Sequence, residues 1–276
     1  MIGLALRPGV LSSSEILRIS EEIDADYYFI PDVLQSTDPI ELSLAILLKN
    51  KRAAAGPGVI RINEHQLGPL IRRIKTISEL SGGRFFLGVG LGSVEGNLKQ
   101  MIDEMEKNVR AVREEAGVRV LVASLREGLA RRFRDVSDGI ILNFSTFDNA
   151  RRISEVYRAP GKLVVSYYKV FIADSDTEAR AMAAAELLRY SELPQYAALF
   201  RKEGIQDELA MLYGRREEAL SHLQAKGVIA MNPGRDLIYS AVELFSRNGV
   251  DVIAVYPYFP SGWSAERKLS ALKAII

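Results

Sequence analysis

Eight short apolar runs recur along the chain, separated by longer amphipathic stretches, and this alternation limits the possible folds more than any other feature. The runs are IGLAL (2–6), DYYFIP (26–31), AAAGPGVI (53–60), RFFLGVG (84–90), VRVLVA (118–123), DGIILNF (138–144), KLVVSYYKVFI (162–172) and DVIAVYPYF (251–259). Each is continuously apolar rather than alternating, as expected of parallel strands covered on both faces. The stretches between them carry helix signals. Serines precede Glu15 at the start of one, and Asp38 and Pro39 suit the N-cap and first helical position of another. TFDNARRISEVYRA and SLREGLARRFRDV are amphipathic and of crossover length. The class is therefore α/β, and eight strand–helix units in 276 residues predict a (β/α)8 TIM barrel. From about Asp176 to Asn248 the pattern is helical throughout, so a helical insertion is expected between strands 7 and 8. No linker or low-complexity tract interrupts 1–276, which reads as a single barrel domain. A doubly wound open sheet is the second choice, and eight regularly spaced strands argue against it.

Composition removes several chemistries. With 36 basic and 35 acidic side chains the formal charge is +1, which gives no electrostatic footprint for nucleic acid. There is no cysteine, so disulfides, thiolate catalysis and cysteine-ligated metals are excluded. His65 and His222 are the only imidazoles and lack metal-binding spacing, so no metal site is expected. MIGLALRPGV is too short an apolar run for a signal peptide, and no stretch approaches the ~20 apolar residues of a membrane span. The expectation is a cytoplasmic protein acting on a small molecule, with neither nucleic-acid nor membrane partners.

In a barrel the chemistry sits where strands end, on the C-terminal face. The densest glycine run, SGGRFFLGVGLGS (81–93), lies at such an end. Its glycines at 88, 90 and 92 do not make the G-x-G-x-x-G dinucleotide fingerprint, because position 93 is Ser93. No Gly-Lys-Ser/Thr follows either, so a P-loop is excluded. Two readings stay open: glycines that thin a crowded strand, or glycines that let a ligand approach its backbone.

That same stretch resembles the signature of the bacterial-luciferase-like superfamily, which includes deazaflavin-dependent oxidoreductases. Three more segments agree in order. AAGPGVIRINEHQ (54–66), VLVASLREGLARRFRDVSDGIILN (120–143) and VFIADSDTEARAMAAAELLRYSELPQY (170–196) are similar to the methylenetetrahydromethanopterin-reductase-like branch, an archaeal one. The departures are local. Asp32-Val33 stands where the family carries Asp-His, and His65-Gln66 replaces a His-Pro. SLREG replaces a glycine-containing phosphate turn, and the segment between the fourth helix and fifth strand is short.

The resemblance implies a cofactor lying across the barrel mouth. Its ring system would lean on Gly56, Pro57, Gly58 and Val59, with a non-proline cis peptide at Gly58–Val59. Gly90, Gly92 and Ser93 would flank its ribityl chain, and Asp32 would be the catalytic group beside the ring. Ser124, Leu125, Arg126 and Glu127 lie where a strand gives way to a helix N-terminus, whose free N–H groups suit a phosphate. Asn143 ends the sixth strand and could hydrogen-bond cofactor or substrate. The implied function is hydride transfer between a small organic substrate and coenzyme F(420), an 8-hydroxy-5-deazaflavin. An FMN-dependent monooxygenase is the alternative, and a shortened cofactor-binding member without catalysis is another. An unrelated barrel enzyme using a strand-end lysine such as Lys169 is a third. The family commonly forms homodimers.

Overall fold

The computed structural model describes residues 1–92, 96–213 and 218–276. Its first half runs β1 (Ile2–Ala5), α1 (Ser13–Glu22), β2 (Tyr27–Ile30), α2 (Pro39–Lys49), β3 (Ala54–Pro57), β4 (Ile60–Arg61), α3 (Leu67–Ser81), β5 (Phe86–Gly90) and α4 (Leu98–Ala116). Then come β6 (Arg119–Ala123), α5 (Glu127–Phe133), β7 (Gly139–Asn143), α6 (Phe147–Tyr157) and β8 (Leu163–Phe171). An excursion follows, of α7 (Asp176–Ser191), α8 (Pro194–Lys202), α9 (Gln206–Tyr213), α10 (Glu218–Ala225) and β9 (Ile229–Met231). The chain finishes with α11 (Arg235–Arg247), β10 (Val252–Tyr258) and α12 (Ala265–Ile275).

The strands form one sheet in the order β3-β2-β1-β10-β8-β7-β6-β5-β4, with every described pairing parallel. β3 and β4 are halves of one strand that kinks at Gly58 and Val59, and a parallel bridge from Ala55 to Phe85 closes the ring. The result is the expected (β/α)8 barrel. Alternate residues of each strand enter two separate cores. Leu4, Tyr28, Leu87, Val120 and Ile140 pack outward under the helices, whereas Ala5, Phe29, Phe86, Leu121 and Ile141 fill the barrel. Burial on both faces explains the continuous apolar runs.

Local signals fold as their chemistry dictates. Ser12 and Glu15 form a reciprocal capping box on α1. The Asp38 carboxylate accepts from the N–H groups of Ile40 and Glu41, with Pro39 opening α2. After α3, Gly82 and Gly83 adopt positive φ of 63° and 76°. They turn the chain so that the Arg84 guanidinium donates to the carbonyls of Leu47, Asn50 and Ala53 at the end of α2. The expectation of an all-helical excursion needs one correction: β9 adds a short strand beside the end of β8, with Lys169 paired to Ile229. Three residues carry no helical period, and their pairing partner lies sixty residues earlier in the chain. The helix predicted from SLREGLARRFRDV is also shorter, seven residues from Glu127.

Candidate functional site

The glycines of the fourth barrel strand show why the third strand can bend. A Cβ added at Gly56 would stand 1.9 Å from the Phe86 carbonyl oxygen, and one at Gly88 would stand 2.2 Å from that of Pro57. One at Gly90 would meet the Val59 side chain at 2.9 Å, and one at Gly92 the Arg61 side chain at 2.5 Å. Both strands are thinned so that the kinked strand lies against its neighbour. Val59 and Arg61 therefore stand against the buried Gly90 and the exposed Gly92, the positions expected beside a ribityl chain. Gly56 and Pro57 are buried in the barrel wall. Ser93 lies outside the described residues.

At the kink the Gly58–Val59 peptide is cis, and the Tyr167 hydroxyl donates to the Gly58 carbonyl at 2.9 Å. Val59 and Leu125 are only partly buried, although both pack on the inner core. Ala123 and Asn143, also partly exposed, end neighbouring strands on the same C-terminal face. Asp32 lies on its rim, ion-paired with Arg61 at 3.0 Å, while Arg61 also donates to Glu64 at 2.8 Å. Burial raises the Asp32 carboxyl above its ordinary range, and the charges of Arg61 and His65 offset this only in part.

The proposed phosphate turn is partly committed. The Ser124 hydroxyl donates to the Arg126 carbonyl, and the Glu127 carboxylate takes ion pairs from Arg152, at 3.1 Å, and from Lys202. Burial pushes the Glu127 carboxyl up, but hydrogen bonds from Lys202, its own backbone N–H and Arg152 bring it down to about 2. Arg126 is exposed and free of ion pairs among the described residues, so it is the group in this turn able to meet an anion. Asn143 donates to the Tyr196 hydroxyl at 2.7 Å, while its buried Oδ1 has no hydrogen-bond partner among the described residues.

The other half of the mouth is closed. α7 and α8 lay Ala179, Ala183, Leu187, Leu199 and Phe200 on the barrel's inner core, and Tyr190, Tyr196 and Phe200 surround Phe144. Beneath them Lys169 is wholly buried, its Nζ 3.3 Å from the centre of the Tyr256 ring and without a hydrogen-bond partner among the described residues. Phe144, Tyr167, Tyr190 and Tyr258 complete the cage at 5.1 to 5.9 Å. Two effects compete over its proton. An aromatic face favours the ammonium ion by about 2 kcal/mol when desolvated. Removing an ammonium ion from water costs several kcal/mol, so burial wins and the amine lies well below its ordinary range. Glu186 stands nearby, accepting from Tyr258 at 2.7 Å and from Arg189 at 2.8 Å, with Arg7 at 3.8 Å. Burial would raise its carboxyl, but those hydrogen bonds hold it below the usual range.

The structure therefore brings Asp32, Val59, Leu125, Arg126 and Asn143 to one open face. Sequence reasoning did not single out Arg61 or Glu186. Arg61 follows directly on the Gly-Pro-Gly-Val-Ile strand end, which is a signal of position; Glu186 sits mid-helix, where nothing marks it.

No family model matches the chain. A 5,10-methylenetetrahydromethanopterin reductase from Archaeoglobus fulgidus is 28% identical over 131 residues, a match spanning 47% of this chain and 36% of the relative's length. An F(420)-dependent secondary alcohol dehydrogenase, solved with an F(420)–acetone adduct, superposes with a TM-score of 0.77 at 11% identity, covering 100% of this chain and 98% of its own. The coenzyme F(420)-dependent tetrahydromethanopterin reductase of Methanopyrus kandleri gives 0.66 at 14% identity, covering 100% and 97%. The oxygenating constituent of 3,6-diketocamphane monooxygenase of Pseudomonas putida, solved with FMN, gives 0.64 at 17% identity, covering 99% and 96%.

Proposed function

We propose that this chain, a luciferase-like barrel, is an oxidoreductase that passes hydride between a small organic substrate and coenzyme F(420). The observation that carries the reading is the set of partly exposed groups at the strand ends beside the third-strand kink. It offers an apolar floor of Val59 and Leu125, with Arg126 free of ion pairs and Asn143 Oδ1 without a hydrogen-bond partner among the described residues. These are the contacts a tricyclic ring with a polar, phosphorylated tail requires. Bound there, the deazaflavin supplies the hydride chemistry, and the protein supplies position and electrostatics. Val59 and Leu125 would support the ring. Arg126 would meet the tail phosphate with a charge-assisted contact. Asp32, raised by burial and held by Arg61, is the rim group suited to hold or release a substrate proton. The archaeal reductase relative and the F(420)-dependent neighbours support the deazaflavin.

Gel filtration after mixing with F(420), or with FMN, tests this through visible absorbance of the protein fraction. Co-elution of deazaflavin supports the proposal, FMN alone would move it to the flavin monooxygenase reading, and neither overturns both. Leu125→Glu should abolish co-elution with only a modest fall in thermal stability, because Leu125 is partly exposed and only its inner side packs on the core. The Pseudomonas neighbour solved with FMN favours the flavin alternative. A non-catalytic binder is favoured by Val33 and by the two-residue link, Gly117-Val118, between α4 and β6. Tight binding without turnover on a panel of alcohols and methylene-pterins would select it.

A further inference from the structure

We propose that Lys169 is a covalent capture site for small aldehydes and ketones, its amine condensing with the carbonyl group to form an imine in the closed half of the barrel mouth. The residue points inward from β8, is entirely shielded from solvent, and leaves Nζ without a hydrogen-bond partner among the described residues. An ammonium ion there would have three N–H donors unmet. The groups facing it are Tyr167 on its own strand, Phe144 beyond β7, and Tyr256 and Tyr258 of β10. From α7 come Tyr190, Glu186 and Arg189, and from the end of β1 comes Arg7. Burial, opposed by the Glu186 charge, favours the neutral amine. The other lysines with assigned ion pairs differ. Lys49, Lys202, Lys226, Lys268 and Lys273 each form an ion pair with a glutamate.

The chemistry balances without any redox partner. The Nζ lone pair attacks the carbonyl carbon, the nitrogen gives up a proton and the carbonyl oxygen takes one, leaving a carbinolamine. Loss of the hydroxyl with a further proton releases water and forms the C=N bond. The Tyr258 hydroxyl, on a ring centred 5.7 Å from Nζ and donating to Glu186 at 2.7 Å, forms with that carboxylate the proton-transfer pair. Aromatic faces on several sides suit a short, apolar carbonyl compound. The inference is independent of the cofactor reading, since imine formation needs neither deazaflavin nor flavin.

The full chain, incubated with acetaldehyde and cyanoborohydride at about pH 6, well below the ordinary lysine range, should acquire N-ethyl-lysine at Lys169 ahead of its other lysines. Peptide mass mapping reads the site. Lys169→Met should remove that label and leave the slow background on surface lysines. Label on the surface lysines with Lys169 unmodified overturns the proposal, and so does label at Lys169 only after denaturation. Tyr258→Phe should slow labelling at Lys169 by tenfold or more with surface labelling unaltered; an unchanged rate overturns the assigned proton route.

Discussion

The two halves of the barrel mouth are built from the same kind of strand end and finish as opposite environments. Over strands three to six the chain turns quickly into outer helices, and Asp32, Val59, Leu125 and Asn143 keep partial contact with solvent. Beyond β8 the chain instead returns through α7 and α8, whose apolar faces join the core inside the barrel. Two carboxyls show the consequence. Burial pushes both upward, but Asp32 faces a rim with Arg61 and stays raised, whereas Glu186 is drawn down by Arg189 and Tyr258. An open half with an apolar floor suits a cofactor that must come and go. A closed half with an unpaired amine suits reactivity that water would quench.

The largest test of this contrast lies in the wall of the open half. Gly56→Ala places a Cβ against the Phe86 backbone oxygen at 1.9 Å, which no side-chain rotation relieves. Overpacking costs about 1–3 kcal/mol and more when backbone must move, so a loss of about 3 kcal/mol or more is expected in urea unfolding. A wild-type midpoint would mean that the kinked strand is not wedged as described. Next comes the staple between the halves. Glu127, from α5, binds Arg152 of α6 and Lys202 of α8. Its carboxyl falls from the ordinary 4.5 to about 2, so its contribution is present above about pH 4.5 and disappears as pH falls toward 2. Glu127→Gln should lower stability by about 2 kcal/mol at neutral pH, allowing for solvent around a partly exposed group. The variant and parent curves should converge near pH 2. Parallel curves would show that the ion pairs contribute nothing.

How much of this was legible in the sequence follows from the range of the forces involved. All eight barrel strands were readable because two-sided burial marks each one locally as a continuous apolar run. Caps such as Ser12 and Asp38 were readable for the same reason, their partners lying two or three residues away. Glu186 was invisible because it is defined by Tyr258 and Arg7, which arrive from opposite ends of the chain. Lys169 could be named only as a strand-end lysine, since its cage is assembled from β7, β8, β10 and α7. The glycines of SGGRFFLGVGLGS left two readings open, a thinned strand in a crowded barrel or room for a ligand. Their room is taken by Pro57, Val59 and Arg61, and only the three-dimensional pairing of the third and fourth barrel strands could reveal that.

A smaller effect, of opposite sign, is expected in the closed half. Lys169→Met replaces an unpartnered amine by an apolar side chain of similar length and should stabilise the protein by about 1 kcal/mol at neutral pH. The sign has a pH signature. The unfolded chain binds the lysine proton up to about pH 10.4 and the folded chain does not, so stability of the parent rises with pH across that interval. The advantage of the variant should therefore shrink and change sign between pH 7 and 9, measured as the difference in urea midpoints. A pH-independent difference would mean that Lys169 is charged in its cage.

The smallest change in stability is expected at the open rim, where the contrast can be sharpened most. Asp32 has a raised carboxyl, so its folded-state contribution is complete below about 3.8 and is lost as pH rises. At neutral pH the residue therefore gains the fold little, and its partner Arg61 retains Glu64. Asp32→Asn should move stability by less than about 1 kcal/mol, within the range of partly exposed ion pairs. Turnover should respond differently if the proton passes through this carboxyl, because losing a positioned acid or base costs about 10²–10⁴-fold in rate. Stopped-flow reduction of bound cofactor separates the two, with gel filtration showing that binding persists. An Asp32→Asn protein that binds, unfolds normally and reacts at the parental rate would move the proton transfer away from the rim, leaving the buried Tyr258–Glu186 pair as the next candidate to vary.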